Sequence, residues 1–292
     1  MKKAARVFAL AAEARLRRAG IRGRYYGEPG QRIHVYEGAG APHGPRCVVL
    51  HGIGSLGTTY APLLRRLVKH TAWLAAPELP GHGFSDVPSA PMTSAEHLAR
   101  MTALLDQIID QPVMLVGHSM GGALALRYAL ARPQKVAALV LCSPAGAPMD
   151  EAAWQGLRAD FRIETAQDGR AFMRRLLHRP RPYHLLAGRH IAELLNRPTI
   201  QHVFDSITPD QFLTPQETSR LAMPTLLIWG QSERILPHSC LAWYKSNMPS
   251  HVRIVEPDNY GHSPPLEQPR DYAQRILDFA REACRTPGDA RP

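Results

Sequence analysis

The sequence predicts an α/β fold: a doubly wound, mostly parallel sheet with an inserted helical cap. Three observations support this prediction. Short runs rich in Val, Leu and Ile recur along the 292 residues, and polar residues do not alternate within them. Stretches with helical periodicity separate several of these runs, as in successive βαβ units. The alternation is interrupted between residues 146 and 223, which indicates an insertion.

The apolar runs predict the strands of the sheet. The runs show no alternation of apolar and polar residues, as expected for strands that helices cover on both faces. Residues 25–37 do not show this pattern. They contain a turn signal, Glu28, Pro29 and Gly30, between two short segments, which predicts a hairpin. The six predicted parallel strands lie within residues 46–52, 72–78, 112–118, 136–144, 224–230 and 252–257.

Helical stretches lie between these strands. We expect helices over residues 58–69, 94–110, 120–132 and 239–248. Ser94 is the candidate N-cap of the second helix, and Pro133 ends the third. The resulting order of strands and helices is that of an open sheet with helices on both faces.

The chain divides into a sheet domain and an insertion. We expect residues 23–145 and 224–285 to form the sheet domain, residues 146–223 a helical cap, and residues 286–292 a disordered tail. The cap segment is rich in aromatic and aliphatic residues. Most of them should form the core of the cap, and a minority should line a cleft beneath it.

Residues 1–22 predict a basic amphipathic helix. Arg6 and Glu13 interrupt its apolar run, so we expect no export signal. The helix can pack on its own domain or lie on an anionic membrane, and the sequence leaves both open. No run approaches the 18 apolar residues of a membrane span. We therefore expect a cytoplasmic protein, with possible peripheral contact at the inner membrane face.

The composition narrows the classes of partner. The net charge of +10 can attract nucleic acid or membranes, but no nucleic-acid motif is present, and solubility is the simpler explanation. The cysteines form no C-x-x-C motif, which favours reduced thiols. The histidines show no metal-binding spacing, so we expect no metal and no cofactor. The four cysteines are Cys47, Cys142, Cys240 and Cys284.

The segment G-H-S-M-G, residues 117–121, carries the strongest chemical signal. It fits G-x-S-x-G, and it lies directly after a predicted strand and before a predicted helix. Such a turn must be sharp, and glycines two positions before and after the serine remove the Cβ atoms that would collide there. Ser119 is therefore the candidate nucleophile, and it requires a base and an orienting acid.

With this motif, the chain resembles the α/β-hydrolase family. The resemblance extends from about Tyr26 to Ala283. The segment N-Y-G-H-S-P-P-L-E-Q-P, residues 259–269, presents His262 as the family presents its catalytic histidine. In W-G-Q-S-E-R-I-L-P, Glu233 stands where the family more often has aspartate. The resemblance implies that His262 is the base and Glu233 the acid. The other location for the acid, after the strand at 136–144, offers Ser143 and no carboxylate.

Two further loops match the family pattern. The segment L-H-G-I-G, residues 50–54, resembles its oxyanion loop, which implies backbone N–H donors at Ile53 and Met120. The segment E-L-P-G-H-G-F-S-D, residues 78–86, resembles a loop beside the site, again with Glu for Asp at Glu78. We expect Glu78 to have a structural role in this loop.

The resemblance implies a serine hydrolase without a cofactor that cleaves esters of apolar acyl groups, similar to monoacylglycerol lipases and carboxylesterases. A serine nucleophile disfavours epoxide hydrolases and dehalogenases, which use a carboxylate. A carbon–carbon hydrolase of the meta-cleavage type is the alternative, although Ser263 follows His262 where those enzymes carry tryptophan. A cofactor-free haloperoxidase and a non-catalytic ligand-binding protein are further alternatives.

Overall fold

The computed structural model describes residues 3–283, and their side chains from residue 10 onward. Eight strands form one sheet: β1 Arg22–Tyr26, β2 Ile33–Gly38, β3 Arg46–Leu50, β4 Trp73–Pro77, β5 Val113–His118, β6 Val136–Cys142, β7 Thr225–Ile228 and β8 Arg253–Val255. Seven of the helices lie outside the β6–β7 connection: α1 Lys3–Arg18, α2 Ala61–Leu67, α3 Ser94–Ile108, α4 Met120–Ala131, α11 His238–Asn247, α12 Pro264–Glu267 and α13 Pro269–Ala283. The remaining six lie in that connection: α5 Glu151–Phe161, α6 Ala166–Leu176, α7 Pro182–Leu186, α8 Gly188–Leu195, α9 Pro198–Asp205 and α10 Pro215–Thr218.

The sheet has the strand order β1-β2-β4-β3-β5-β6-β7-β8. The first two strands form the predicted hairpin, and β2 pairs antiparallel with β4. All other neighbours are parallel, so the strands from β3 onward end at one common edge. In such a sheet, ligands bind outside the carboxyl ends of the strands. The prediction of a mostly parallel, doubly wound sheet is confirmed.

Two apolar layers cover the sheet. One face packs against α3, α4 and α11, and the other packs against α1, α2 and α13. Because of this double cover, every residue of β5 and β7 is buried. Burial on both faces is the physical reason why these segments read as unbroken apolar runs.

The start of α3 differs from the prediction. Thr93, not Ser94, is the N-cap, because Glu96 lies three residues after it and completes a capping box. The Thr93 hydroxyl accepts from the Glu96 N–H at 3.2 Å, and the Glu96 carboxylate accepts from the Thr93 N–H at 2.7 Å. Ser94 is the first helical residue, and its hydroxyl donates to Gln211 instead.

Helices fill the segment between β6 and β7, where the sequence predicts a cap. Their aromatic side chains pack on one another, and the Phe161 and Phe204 rings lie 4.5 Å apart. Phe161 also meets Phe172 edge to face at 5.2 Å. These contacts join α5, α6 and α9 into one apolar cluster that is continuous with the core over α3 and α4.

Helix α1 packs on the sheet domain through Leu16, which is fully buried, and Ala12. Ala11 and Ala14, which lie on the apolar side of the predicted helix, are exposed. Lys2 and the predicted tail at 286–292 lie outside the described residues, as does Cys284. Within residues 3–283, no helix has the length and apolar character needed to cross a membrane.

Candidate active site

Ser119 lies between the end of β5 and the first residue of α4, in a strained backbone conformation. Its φ of 54° and ψ of −120° are rare for a residue with a side chain. Such strain costs about 1–3 kcal/mol, and structures retain it mainly where function needs it. The Ser119 carbonyl accepts from Gly122 and Ala123, but its hydroxyl makes no capping bond. The turn therefore leaves the hydroxyl free to react.

The two glycines of the motif allow backbone segments to meet around this turn. A Cβ atom on Gly121 would lie 2.4 Å from the carbonyl oxygen of Leu50, and one on Gly117 would lie 2.4 Å from that of Gly121. Gly52 makes a third close approach, because a Cβ there would lie 3.1 Å from the Ser119 Cβ. The end of β3, the loop after it and the serine turn are thus in direct contact.

Glu233 and His262 form a buried hydrogen-bonded pair. His262 Nδ1–H donates to Glu233 Oε2 at 2.7 Å, and both side chains are at most 3% exposed. The other oxygen, Oε1, accepts from the backbone N–H groups of Ile235 and Leu236 at 2.8 and 3.0 Å. Burial raises the pKa of Glu233, but the pairing with His262 and these N–H donors outweigh it and lower the pKa to about 2. The carboxylate stays ionised and holds the imidazole with its proton on Nδ1, which leaves Nε2 as the basic atom.

His118 connects the serine turn to the His262 loop. Its Nε2–H donates to the backbone carbonyl of His262 at 2.7 Å, and its Nδ1 accepts from the Tyr60 hydroxyl at 2.6 Å. Burial, followed by the nearby His262, lowers the pKa of His118 to about 3, so the ring is neutral. No hydrogen bond within normal limits joins the Ser119 hydroxyl to His262 in the described chain. Catalytic contacts of this kind often tighten only when substrate binds.

The backbone N–H groups of Ile53 and Met120 lie on the two segments that meet at Ser119. Within residues 3–283, neither N–H has an acceptor in the protein. Met120 is the first residue of α4, where the helix leaves its N–H groups unpaired. The loop that carries Ile53 is held by two neutral histidines: His51 Nε2 accepts from the Leu79 N–H, and His82 Nε2 accepts from the Gly54 N–H, both at 3.1 Å.

Glu78 is fully buried and organises the loops beside the site. Its carboxylate accepts from the N–H groups of Gly57 and Phe84, both at 2.8 Å, and from His34 Nδ1 at 3.0 Å. A Cβ on Gly83 would lie 1.9 Å from the same carboxylate. These contacts hold the loop after β3 and the loop after β4 together, which is a structural role.

Ser143, at the other location considered for the acid, is fully buried. Its backbone has a positive φ of 38°, and its N–H donates to the carbonyl of Ile228. The hydroxyl lies near Glu233 without meeting the limits of a hydrogen bond. Ser143 supplies no carboxylate, and Glu233 is the acidic residue that contacts His262.

A cavity of about 350 Å³ opens beside Ser119. Ile53 and Met120 border it at the serine end, and α3, α4 and the inserted helices form its walls. Its lining is mainly apolar and includes Leu124, Met149, Trp154, Leu157, Phe161 and Phe204. A larger groove of about 620 Å³ lies between the β1–β2 turn and α3, but none of the candidate site residues borders it.

The end of α6 covers the His262 and Glu233 loops. The carbonyl of Leu176 accepts from the Ser263 N–H at 3.2 Å, and the His178 N–H donates to Glu267 at 2.7 Å. Arg234, next to the acid, donates to the carbonyls of Leu177 and His178. On the other side of the site, Leu195 of α8 approaches Gly54, where an added Cβ would lie 2.3 Å from its Cδ2.

Sequence reasoning proposed Ser119, Glu233 and His262, and the structure brings Glu233 and His262 into hydrogen-bond contact. It gave no role to His118, which joins the serine turn to the His262 loop. It also gave no role to Tyr60 or His97. His118 directly precedes Ser119 in the sequence, which is a visible signal, but its hydrogen-bond partner lies 144 positions away. Tyr60 and His97 have no local signal, because their contacts depend on the fold.

Comparisons with known proteins agree with this architecture. A family model described as the alpha/beta hydrolase fold matches residues 45–269. Lipase LipV of Mycobacterium tuberculosis is 45% identical over 107 residues, which are 36% of this chain and 39% of LipV.

Solved structures share the fold over most of the chain. A membrane phospholipase A described as a bacterial virulence factor superposes with a TM-score of 0.81 at 23% identity, covering 97% of this chain and 93% of that one. The 2-hydroxy-6-oxo-6-phenylhexa-2,4-dienoate hydrolase of Rhodococcus sp. strain RHA1 gives a TM-score of 0.76 at 22% identity, covering 89% and 99%.

Proposed function

The chain belongs to the α/β hydrolase family, and from that premise we propose that it is a serine hydrolase that cleaves carboxylic esters of apolar acyl groups. One observation carries the proposal. A buried hydrogen-bonded pair, Glu233 and His262, is tied to the turn that holds Ser119 in a strained conformation with a free hydroxyl. This arrangement has the parts that acyl transfer through an acyl-enzyme requires.

In the proposed reaction, the Ser119 hydroxyl attacks the ester carbonyl while His262 Nε2 accepts its proton. The carbonyl oxygen becomes an oxyanion, and the unpaired N–H groups of Ile53 and Met120 donate to it. His262 then gives its proton to the leaving alcohol as the carbon–oxygen bond breaks. Water attacks the acyl-enzyme by the same route and releases the acid. Glu233 stabilises the imidazolium formed in each step, and no cofactor takes part.

The volume and the lining of the cavity favour a substrate with an apolar acyl group of limited length. Its volume of about 350 Å³ lies near the lower end of the range of about 300–1,000 Å³ found for small-molecule sites. The lining of Leu, Met, Trp and Phe side chains favours a hydrocarbon chain. We therefore expect esters of short and medium acids to be preferred over palmitate, in keeping with a carboxylesterase or monoacylglycerol-type lipase.

The first test is hydrolysis of p-nitrophenyl esters from acetate to palmitate. We expect Ser119→Ala to lower kcat/KM by about 10⁴-fold or more, and to abolish labelling by a fluorophosphonate probe. Ser89→Ala, an exposed serine away from the site, is the matched control and should keep full activity. If the wild type is inactive on every ester, the esterase is rejected, and the carbon–carbon hydrolase becomes the next activity to assay.

We further propose that the protein works in the cytoplasm, in peripheral contact with an anionic membrane. The outer side of α1 carries exposed Arg15 and Arg18, and Leu10 is half-exposed earlier in the same helix. Basic side chains beside an exposed apolar one favour an anionic lipid surface. Arg18→Glu should weaken sedimentation with phosphatidylglycerol vesicles, whereas Arg220→Glu, an exposed arginine of the inserted segment, should not. Equal binding by both variants would reject the role of α1.

A further inference from the structure

His97 is a buried histidine in the wall of the cavity beside Ser119. It lies in the first turn of α3, and its side chain is only 3% exposed. Its Nδ1 atom is buried and has no hydrogen-bond partner among residues 3–283. Native structures pair nearly all buried polar atoms, so an unpaired one requires a specific explanation.

Apart from Ser119, the other charged, hydroxyl and amide side chains in this wall either have protein partners or are exposed to solvent. The Ser94 hydroxyl donates to Gln211 at 2.5 Å, and Arg127 pairs with Glu217 and donates to the Gln211 carbonyl. Asp210 is exposed to solvent. Apart from the candidate nucleophile Ser119, His97 is thus the buried polar side chain that the protein leaves unpaired among the described residues that line the cavity.

His97 is linked through His82 to the loop at the Ser119 end of the cavity. Its ring meets the ring of His82 edge to face, with centroids 6.4 Å apart. His82 in turn accepts from the Gly54 N–H, next to the candidate oxyanion donor at Ile53. His97 therefore lies close to the loop that carries Ile53, and it lines the cavity that would hold a bound acyl chain.

The ring is uncharged at neutral pH. Burial lowers the pKa of His97 to about 4, and the nearby carboxylate of Glu96 reverses only part of this effect. A neutral imidazole has one N–H donor and one acceptor nitrogen. The other ring nitrogen, Nε2, also has no hydrogen-bond partner among the described residues, and it is not enclosed as Nδ1 is. Because His97 lines the cavity, Nε2 is the nitrogen that a ligand there can reach. A hydroxyl group can pair with Nε2 in either tautomer, because a hydroxyl both donates and accepts.

We propose that His97 is a specificity residue that hydrogen-bonds a hydroxyl group on the acyl chain of the substrate. The preferred substrates are then esters of hydroxylated acids with an otherwise apolar chain. A plain hydrocarbon chain would displace water from the cavity and leave the imidazole unpaired, which penalises that substrate. This inference rests on the proposed esterase function.

The test compares methyl hexanoate with its 3-, 5- and 6-hydroxy derivatives. We expect the wild type to hydrolyse at least one hydroxy ester with a kcat/KM about 10-fold or more above that of the plain ester. In His97→Leu, the preference should fall to near unity while the plain ester is still hydrolysed. His97→Gln, which keeps a polar group of similar reach, should retain part of the preference. The exposed His251→Leu is the matched control and should leave the ratio unchanged.

The possible failures separate the two proposals. Equal rates on plain and hydroxylated esters in the wild type, or an unchanged ratio in His97→Leu, would overturn the role of His97 alone. If the wild type hydrolyses none of these esters or the p-nitrophenyl esters, the esterase function and this inference fall together.

Discussion

Acidification from pH 7 to pH 5 should destabilise the protein strongly, because several buried histidines are held neutral. In three of them a ring nitrogen already accepts a hydrogen bond: His51 from a backbone N–H, His82 from another, and His118 from a tyrosine hydroxyl. Protonation would place two donors face to face in a buried site. Burial accordingly lowers the pKa of each of these three histidines, as it does for His97.

The magnitude follows from the pKa values. In the folded state they are about 3 for His82 and His118 and about 4 for His97, against 6.5 for a free histidine. At pH 5 the unfolded chain binds nearly one proton at each position and the folded chain almost none. Linkage then lowers the free energy of unfolding by roughly 2 kcal/mol for each of His82, His118 and His97, or by about 6 kcal/mol in total. This stability is fully present above pH 6.5 and is lost as the pH falls toward the folded pKa values.

The assay is urea unfolding at pH 7 and pH 5, followed by tryptophan fluorescence. A loss of about 6 kcal/mol is a large part of the roughly 5–15 kcal/mol that stabilises a typical domain. His118→Asn, which cannot titrate, should reduce the difference between the two pH values by about 2 kcal/mol. His251→Asn, at an exposed site, should not change it. Equal unfolding free energies of the wild type at both pH values would refute the reasoning.

Other predictions test the site and the core. Gly121→Ala should abolish most ester hydrolysis, because its Cβ would lie 2.4 Å from the Leu50 carbonyl oxygen. Gly156→Ala, where a Cβ meets nothing within 4 Å, should keep activity and raise the unfolding free energy by about 1 kcal/mol; the reverse pattern would contradict this account. Glu233→Gln should lower kcat by about 10⁴-fold with little change in KM, and a mild effect would argue against Glu233 as the acid. Burial raises the pKa of three thiols, so peptide mapping after treatment of the native protein with a disulfide reagent should find them unmodified; labelling before unfolding would count against this. They are Cys47, Cys142 and Cys240.

The sequence predicted those features that depend on local patterns. Burial on both faces makes β3 to β7 mainly apolar and without alternation, and the turn residues after β1 mark the hairpin. The elbow around Ser119 is also local, since two glycines and a strand-to-helix boundary define it. These signals are present in the residues themselves and need no knowledge of distant contacts.

Features that depend on distant contacts were not predictable in this way. The bond from His118 to the carbonyl of His262 joins positions 144 residues apart, and no spacing rule indicates it. The unpaired nitrogen of His97 follows from which helices surround it. For α1, periodicity alone did not show that Ala12 and Leu16 face the domain, since the position of α2 decides that.

The contacts at the end of α6 bear on how new variants of this protein could be built. Leu176, Leu177 and His178 belong to the inserted segment by sequence, yet their backbone groups hold the loops of His262 and Arg234. A chimaera that exchanges the whole insertion for that of a relative would therefore remove part of the backbone support around His262. Junctions placed so that residues 175–178 stay with the parent sheet would allow the rest of the insertion, with its cavity-lining side chains, to be exchanged as a module.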